Sequence, residues 1–350
     1  MTSPTLLEAT PAALDPLAVA TTLIRVDSTS GHEGEVVAAV ERLLTERGWT
    51  TLRIPVSEGR DDLLATGSPA PLVTLSTHLD TVPPFLPPRL DGGRLYGRGA
   101  CDAKGIAAAM ICAGERLRDA GIPVALLFVV GEETAHDGAH AANDSHLAPS
   151  TSRVLINGEP TESVLAVGTK GALRLTITTE GRAAHSAYPH LGRSATAELV
   201  RLLAELDDLP LPTDPLLGET TINIGRLAGG VADNVTAPHA EARLMARLVT
   251  PAEELMGLLR SWVGDRARIE PGVTIPPVRL GVVEGFPTAV VAYATDIPAL
   301  TRWGTPYLFG PGSIHVAHTA DEHIEVAELR AAVDAYVRLA TEALRSEERR

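Results

Sequence analysis

The chain has almost no cysteine, few aromatics and hardly any lysine, and each shortage closes off a class of protein. Only Cys101 and Cys112 are cysteine, and neither sits in a Cys-x-x-Cys pair. No disulfide framework holds this fold, and a reducing, cytoplasmic compartment fits best. Lys104 and Lys170 are the only lysines; every other basic residue is arginine, a bias that genome composition accounts for. Basic residues number 30 against 44 acidic ones, a formal net charge of −14. Phosphate backbones and anionic bilayers demand a cationic surface, so nucleic acid and membrane are not expected as partners. No apolar run approaches the ~18 residues that read as a membrane span. The opening MTSPTLLEATPAALD lacks a cationic start and a continuous apolar stretch. It reads as a short frayed tail, not a secretory signal. There is no internal repeat and no low-complexity tract.

What is present is an ordinary globular composition, 45% hydrophobic and 21% charged, able to bury a core. At 350 residues two domains, or one large domain with an insertion, are expected. Helical periodicity covers residues 17–26, 34–47 and 104–120, the last two stopped by Gly48 and Gly121. Short apolar runs at 72–77, 124–130 and 153–157 read as buried strands. Strands alternating with helices imply a mostly parallel sheet covered on both faces.

From residue 168 the pattern changes. Residues 172–179, ALRLTITT, alternate apolar and polar as a half-exposed antiparallel strand does. A helix at 194–206, strands at 221–226 and 239–248, a helix at 252–263 and a strand at 273–281 follow. After Phe286 the earlier style returns and ends in a long helix at 326–344. The expected fold is therefore α/β, a mostly parallel sheet sandwiched by helices, formed by residues 1–167 and 283–350. An α+β domain, residues 168–282, is inserted into it.

The chemistry-bearing residues cluster at strand ends. His78 in LSTHLDTVP lies just past a buried strand, where open α/β sheets place ligands, and Asp80 is near enough to brace it. Alone, His78 reads better as a structural histidine at a loop start. Asp102 in GRGACDAKG precedes a helix, where a carboxylate also serves as a cap; Gly97, Gly99 and Gly105 around it suggest a tight backbone path. Glu132 and Glu133 end a strongly apolar strand in VVGEET, so one can bind metal while the other faces water. Glu159 follows the next strand in INGEPT. Near the C-terminus HVAHTADEHIE offers His315, His318 and His323, and the flanking acids single out His318. His136 and His140 straddle Gly138 and read as a partly exposed helix. Two divalent cations bring four positive charges, which Asp102, Glu133, Glu159 and a bridging hydroxide would balance. Nitrogen and oxygen donors without thiolate suit zinc, cobalt or manganese. There is no G-x-S-x-G elbow, P-loop or HExxH.

These segments, in this order, resemble the zinc-dependent amidohydrolase family that includes acetylornithine deacetylase, succinyl-diaminopimelate desuccinylase, aminoacylase and glutamate carboxypeptidase. The resemblance runs from about residue 15 through nearly the whole chain. It implies two Zn2+ ions: His78, Asp102 and Glu159 on one, Asp102, Glu133 and His318 on the other, with Asp102 bridging. Asp80 would orient His78. Glu132 would be the general base, taking a proton from the metal-bridging water and passing it to the leaving amine. The inserted domain looks like the family's lid and dimerisation domain. In GRAAHSAYPHLG, His185 matches a histidine that reaches across a homodimer to the oxyanion. In DNVTAPHAEARLMARL, Asn234 and Arg247 match substrate-binding residues, Arg247 for a carboxylate. YATDIPAL keeps Thr295 and Asp296 of another family segment, but Pro298 replaces its arginine. The expected activity is hydrolysis of an N-acyl-amino acid, as in the acetylornithine and acetyl-lysine deacetylases. A dipeptidase or carboxypeptidase acting on a small peptide with a free carboxylate is the alternative. A non-catalytic metal-binding homologue is the remote one, and metal binding alone would not require Glu132.

Overall fold

The computed structural model describes residues 13–349, so most of the segment read above as a frayed tail lies outside the described residues. Two compact units emerge: residues 1–167, 280–289 and 295–350 in one, residues 168–279 and 290–294 in the other. Residues 280–282, assigned to the insertion from sequence, thus fall with the first unit, and 290–294 with the second.

In the first unit Val73–His78 lies between Val124–Val129 and Val154–Asn157, parallel to both, and Thr305–Leu308 continues the parallel set beyond Val154–Asn157. On successive residues of Val124–Val129 the side chains enter different cores. Val124, Leu126 and Phe128 pack with the helices Pro16–Ile24, Gly34–Glu46, Lys104–Asp119 and Val326–Glu348; Ala125, Leu127 and Val129 pack with Ala139, Leu300 and Trp303. A strand buried on both faces has no polar side, which is why VALLFV reads as one apolar run. Each such Leu, Val or Phe contributes roughly 1.5–3 kcal/mol of burial.

An antiparallel hairpin, Thr50–Ser57 with Arg60–Thr66, extends this sheet at the Val124–Val129 side. The sequence reading had no strand there. Among the described residues no helix is long and apolar enough to cross a membrane.

The second unit is a four-stranded antiparallel sheet ordered Thr221–Gly229, His239–Leu248, Gly171–Glu180, Arg268–Ile275. Leu173, Leu175, Ile177, Ala242 and Leu244 pack one face against the helices Ala195–Leu203 and Ala252–Val263. The strand expected at 273–281 is instead Arg268–Ile275 followed by the short Val278–Arg279. Pro276 and Pro277 separate the two, since proline cannot donate to a ladder.

Candidate metal centre

The apolar strands deliver the site by stopping. Val73–His78, Val124–Val129 and Val154–Asn157 run parallel, so their C-terminal ends lie side by side; His78, Glu132, Glu133 and Glu159 follow from those ends. Asp102 comes from the loop ahead of Lys104–Asp119. It does not cap that helix: Ala103 is the capping residue, with no side-chain cap bond. The helix instead sits tightly on the loop, because a Cβ at Gly105 would lie 2.1 Å from the Ala100 carbonyl oxygen.

Three groups of three potential ligands result among the described residues, one of them Glu132, His136 and Asp296 and the other two sharing Asp102. His78, Asp102 and Glu159 bring ligand atoms within 4.8 Å of one another, and so do Asp102, Glu133 and His318, with Asp102 common to both. His78 Nε2 is 2.9 Å from Asp102 Oδ1, while its Nδ1 donates to the Asp80 carbonyl oxygen at 2.9 Å. Asp80's carboxylate is farther from Nδ1, at 3.5 Å. That carboxylate mainly holds the neighbouring loop: Oδ1 accepts from the Glu132 N–H at 3.1 Å, Oδ2 from the Glu133 N–H at 3.2 Å and from Ser30. Asp80 therefore tethers both glutamates as well as the histidine, a role that sequence spacing does not show. His318 adopts a left-handed backbone (φ 63°) and places Nε2 2.9 Å from Glu133 Oε1.

The electrostatics are those of a site built for cations. Burial, then hydrogen bonds from His318 and His78, act on Asp102 in opposite senses, and the bonds win, holding it below the usual carboxylate range. Glu159 and Glu132 are pushed well up, first by burial and then by surrounding carboxylates, against the pull of His78. His318 rises to about 10 through its bonds to Asp102 and Glu133. Glu159 Oε1 is buried without a hydrogen-bond partner, a costly state for an oxygen that a cation would relieve. The donor set of imidazole and carboxylate, without thiolate, fits zinc, cobalt or manganese. Cys101 and Cys112 are buried free thiols.

Around this centre lie parts that sequence did not reveal. Glu322, buried, pairs with buried Arg98 and accepts from the N–H groups of Gly99 at 2.9 Å, Asp102 at 3.3 Å and Cys101 at 3.4 Å. It clamps the loop that carries Asp102. His136, expected inside a helix, precedes one (Asp137–Asp144) in a left-handed conformation and binds Asp296 at 2.8 Å. Lys104 is fully buried, its Nζ donating to the Val26 carbonyl oxygen.

In the second unit, His185 and Asn234 stand on adjoining loops: His185 bridges Val235, and the Ser186 N–H donates to the Asn234 carbonyl oxygen at 2.9 Å. Both side chains are exposed. Arg247 lies at the far end of His239–Leu248, half-buried.

Comparison with known proteins finds one family and a set of relatives. The family described as Peptidase family M20/M25/M40 matches residues 74–342. A protein of Aspergillus terreus named "Probable carboxypeptidase" is 39% identical over 362 residues, covering 91% of this chain and 84% of the relative. A solved tripeptidase from Staphylococcus aureus superposes with TM-score 0.79 at 19% identity, over 96% of this chain and all of that one. A solved M20 family metallo-carboxypeptidase from Sulfolobus solfataricus gives TM-score 0.74 at 16% identity, over 95% and 99%. At such identities the two structures attest the fold.

Proposed function

This chain belongs to peptidase family M20/M25/M40, and on that premise we propose that it is a di-metal hydrolase releasing an amino acid with a free α-carboxylate from a small peptide or N-acyl conjugate. The observation that carries the reading is the pair of ligand triads sharing Asp102, with Glu132 beside them. His78, Asp102 and Glu159 would hold one ion and Asp102, Glu133 and His318 the other, zinc by the donor chemistry. When bound, the ions supply Lewis acidity toward the scissile carbonyl.

The chain's own residues do the rest. Glu132, its N–H fixed by Asp80, takes a proton from the attacking water on its carboxylate and delivers it to the leaving nitrogen. Asp80 keeps His78 in the tautomer that leaves Nε2 facing Asp102, since Nδ1–H is committed to the Asp80 carbonyl. Arg247 and Asn234 together grip the α-carboxylate, roles supported by the family resemblance. The relatives' name favours carboxypeptidase action; the deacetylase-like ending of the sequence favours N-acyl-amino acids, and the bond cleaved is chemically equivalent.

A homodimer through the second unit completes the reading, with His185 donated to the partner's site. Its support is an edge strand, Thr221–Gly229, that leaves Ile224 and Leu227 exposed, next to a helix exposing Val200; an unpaired apolar edge invites a second copy.

The deciding experiment is a hydrolysis screen of dipeptides and acetyl-amino acids with zinc supplied, alongside Glu132→Gln. The variant should lose ~10²–10⁴-fold in kcat while keeping its metal. Undiminished turnover in Glu132→Gln would refute the assignment.

A further inference from the structure

The open face of the second unit's sheet gathers arginines side by side, an arrangement that like charges resist unless something anionic comes between them. Arg174, on Gly171–Glu180, is paired in register with Met245 of His239–Leu248. Side chains two residues apart on a strand share a face. Arg243 and Arg247 are therefore both diagonal neighbours of Arg174, which sits between them at the ~7–8 Å spacing of such positions. Arg226, opposite Arg243 on the next strand, adds a fourth guanidinium.

The acids on this face are already engaged. Glu241 lies 3.6 Å from Arg243, and Glu270 lies 3.6 Å from Arg268. Among the described residues Arg174 and Arg247 have no carboxylate within salt-bridge distance. Arg247 is also half-buried, so its charge has lost part of its water, and Arg174 repels it as well. Two adjacent guanidiniums, one partly desolvated and neither neutralised, are the arrangement of an anion receptor awaiting its ligand. Beside Arg174, on the side of Arg243 and not reaching Arg247, lies a depression of about 400 Å³ walled by Thr176, Arg243, Met245 and Glu270.

We propose that this face reads two anionic groups: Arg247 takes the α-carboxylate and Arg174 takes a second carboxylate on the same residue. The ligand class is a dicarboxylic amino acid, tested below with its glutamate-type member. The inference rests on the reading of Arg247 given above, and assigns Arg174 as the residue that sets side-chain preference.

The test separates the two claims. Titration calorimetry on the metal-loaded enzyme compares glutarate with glutaramate, its monoamide, in the wild type and in Arg174→Met, Arg174→Lys and Arg247→Met. Losing one charge-assisted contact lowers affinity roughly tenfold to a hundredfold. Wild type should prefer glutarate by that factor, Arg174→Met should bind both alike, and Arg174→Lys should regain part of the preference. Arg247→Met should weaken both ligands. In parallel, the ratio of kcat/KM for glutamyl against glutaminyl substrates should collapse in Arg174→Met. An unchanged preference in Arg174→Met, or no glutarate preference in wild type, overturns the inference while leaving hydrolysis intact. Arg174-dependent glutarate binding without any hydrolysis would instead sustain the inference and sink the functional reading.

Discussion

Glutamate 322 offers the sharpest test of how the loop bearing Asp102 is held. Its carboxylate is buried against buried Arg98 and accepts three backbone N–H groups, those of Gly99, Cys101 and Asp102. Removing one partner of a buried ion pair costs about 3–5 kcal/mol, because the surviving charge is left uncompensated. Glu322→Gln keeps an oxygen to accept the N–H groups and deletes only the charge, so its loss should fall in that range. At about 1.4 kcal/mol per decade this is roughly two to four decades in the folding equilibrium. Glu322→Leu should be worse, since each orphaned buried N–H adds roughly 1–3 kcal/mol. The double variant Arg98→Met/Glu322→Leu should regain what the stranded guanidinium cost but not the orphaned N–H groups. Urea unfolding followed through Trp49 and Trp303, both buried in the first unit, measures the ranking. Zinc competition against a chromophoric chelator measures the second consequence, a weaker hold on metal as Asp102 loosens. If Glu322→Gln unfolds within about 0.5 kcal/mol of wild type and competes equally for zinc, the clamp has no such role and the reasoning fails.

Two further outcomes are expected. Chelated enzyme should keep its circular dichroism and lose hydrolysis until zinc or cobalt is returned, because the apolar clusters that hold the first unit together contain no proposed ligand; full activity with no metal by elemental analysis would contradict the centre. Inactive His185→Ala and Glu132→Ala proteins, mixed under subunit exchange, should partly recover turnover, since each mixed dimer has one site with both groups intact; a mixture that stays dead would place His185 in its own chain's site.

The sequence yielded what local chemistry encodes. VALLFV could be seen as a doubly buried strand because burial on both faces erases alternation, and the acids and histidine after such strands stood out for the same reason. The hairpin Thr50–Thr66 escaped because Pro55 and the charges Arg53, Arg60, Asp61 and Asp62 break its pattern; its pairing comes from the sheet it joins. His136 looked helical from spacing to His140, yet its conformation belongs to Asp296, distant in sequence. Arg98 and Glu322 are separated by 224 positions, and no periodicity connects residues so far apart. The reach of Asp80 to Glu132 and Glu133 was invisible for the same reason: one residue names a neighbour, and the fold supplies the others.

The place of Thr305–Leu308 bears on how the protein is born. That strand fills the slot between Val154–Asn157 and Leu165–Thr169, but it is translated only after the entire second unit. At ~5–20 residues per second, a ribosome needs on the order of 7–28 s to travel from the one flank of that slot to its occupant. Through that interval the nascent first unit carries a bare strand edge in the middle of its sheet, and it also lacks His318 and the helix Val326–Glu348. The second unit, contiguous but for residues 290–294, is free to fold first. Biosynthesis thus leaves the first unit's sheet incomplete until its late strand arrives, and the unfinished edge is where a holding chaperone would have most to protect.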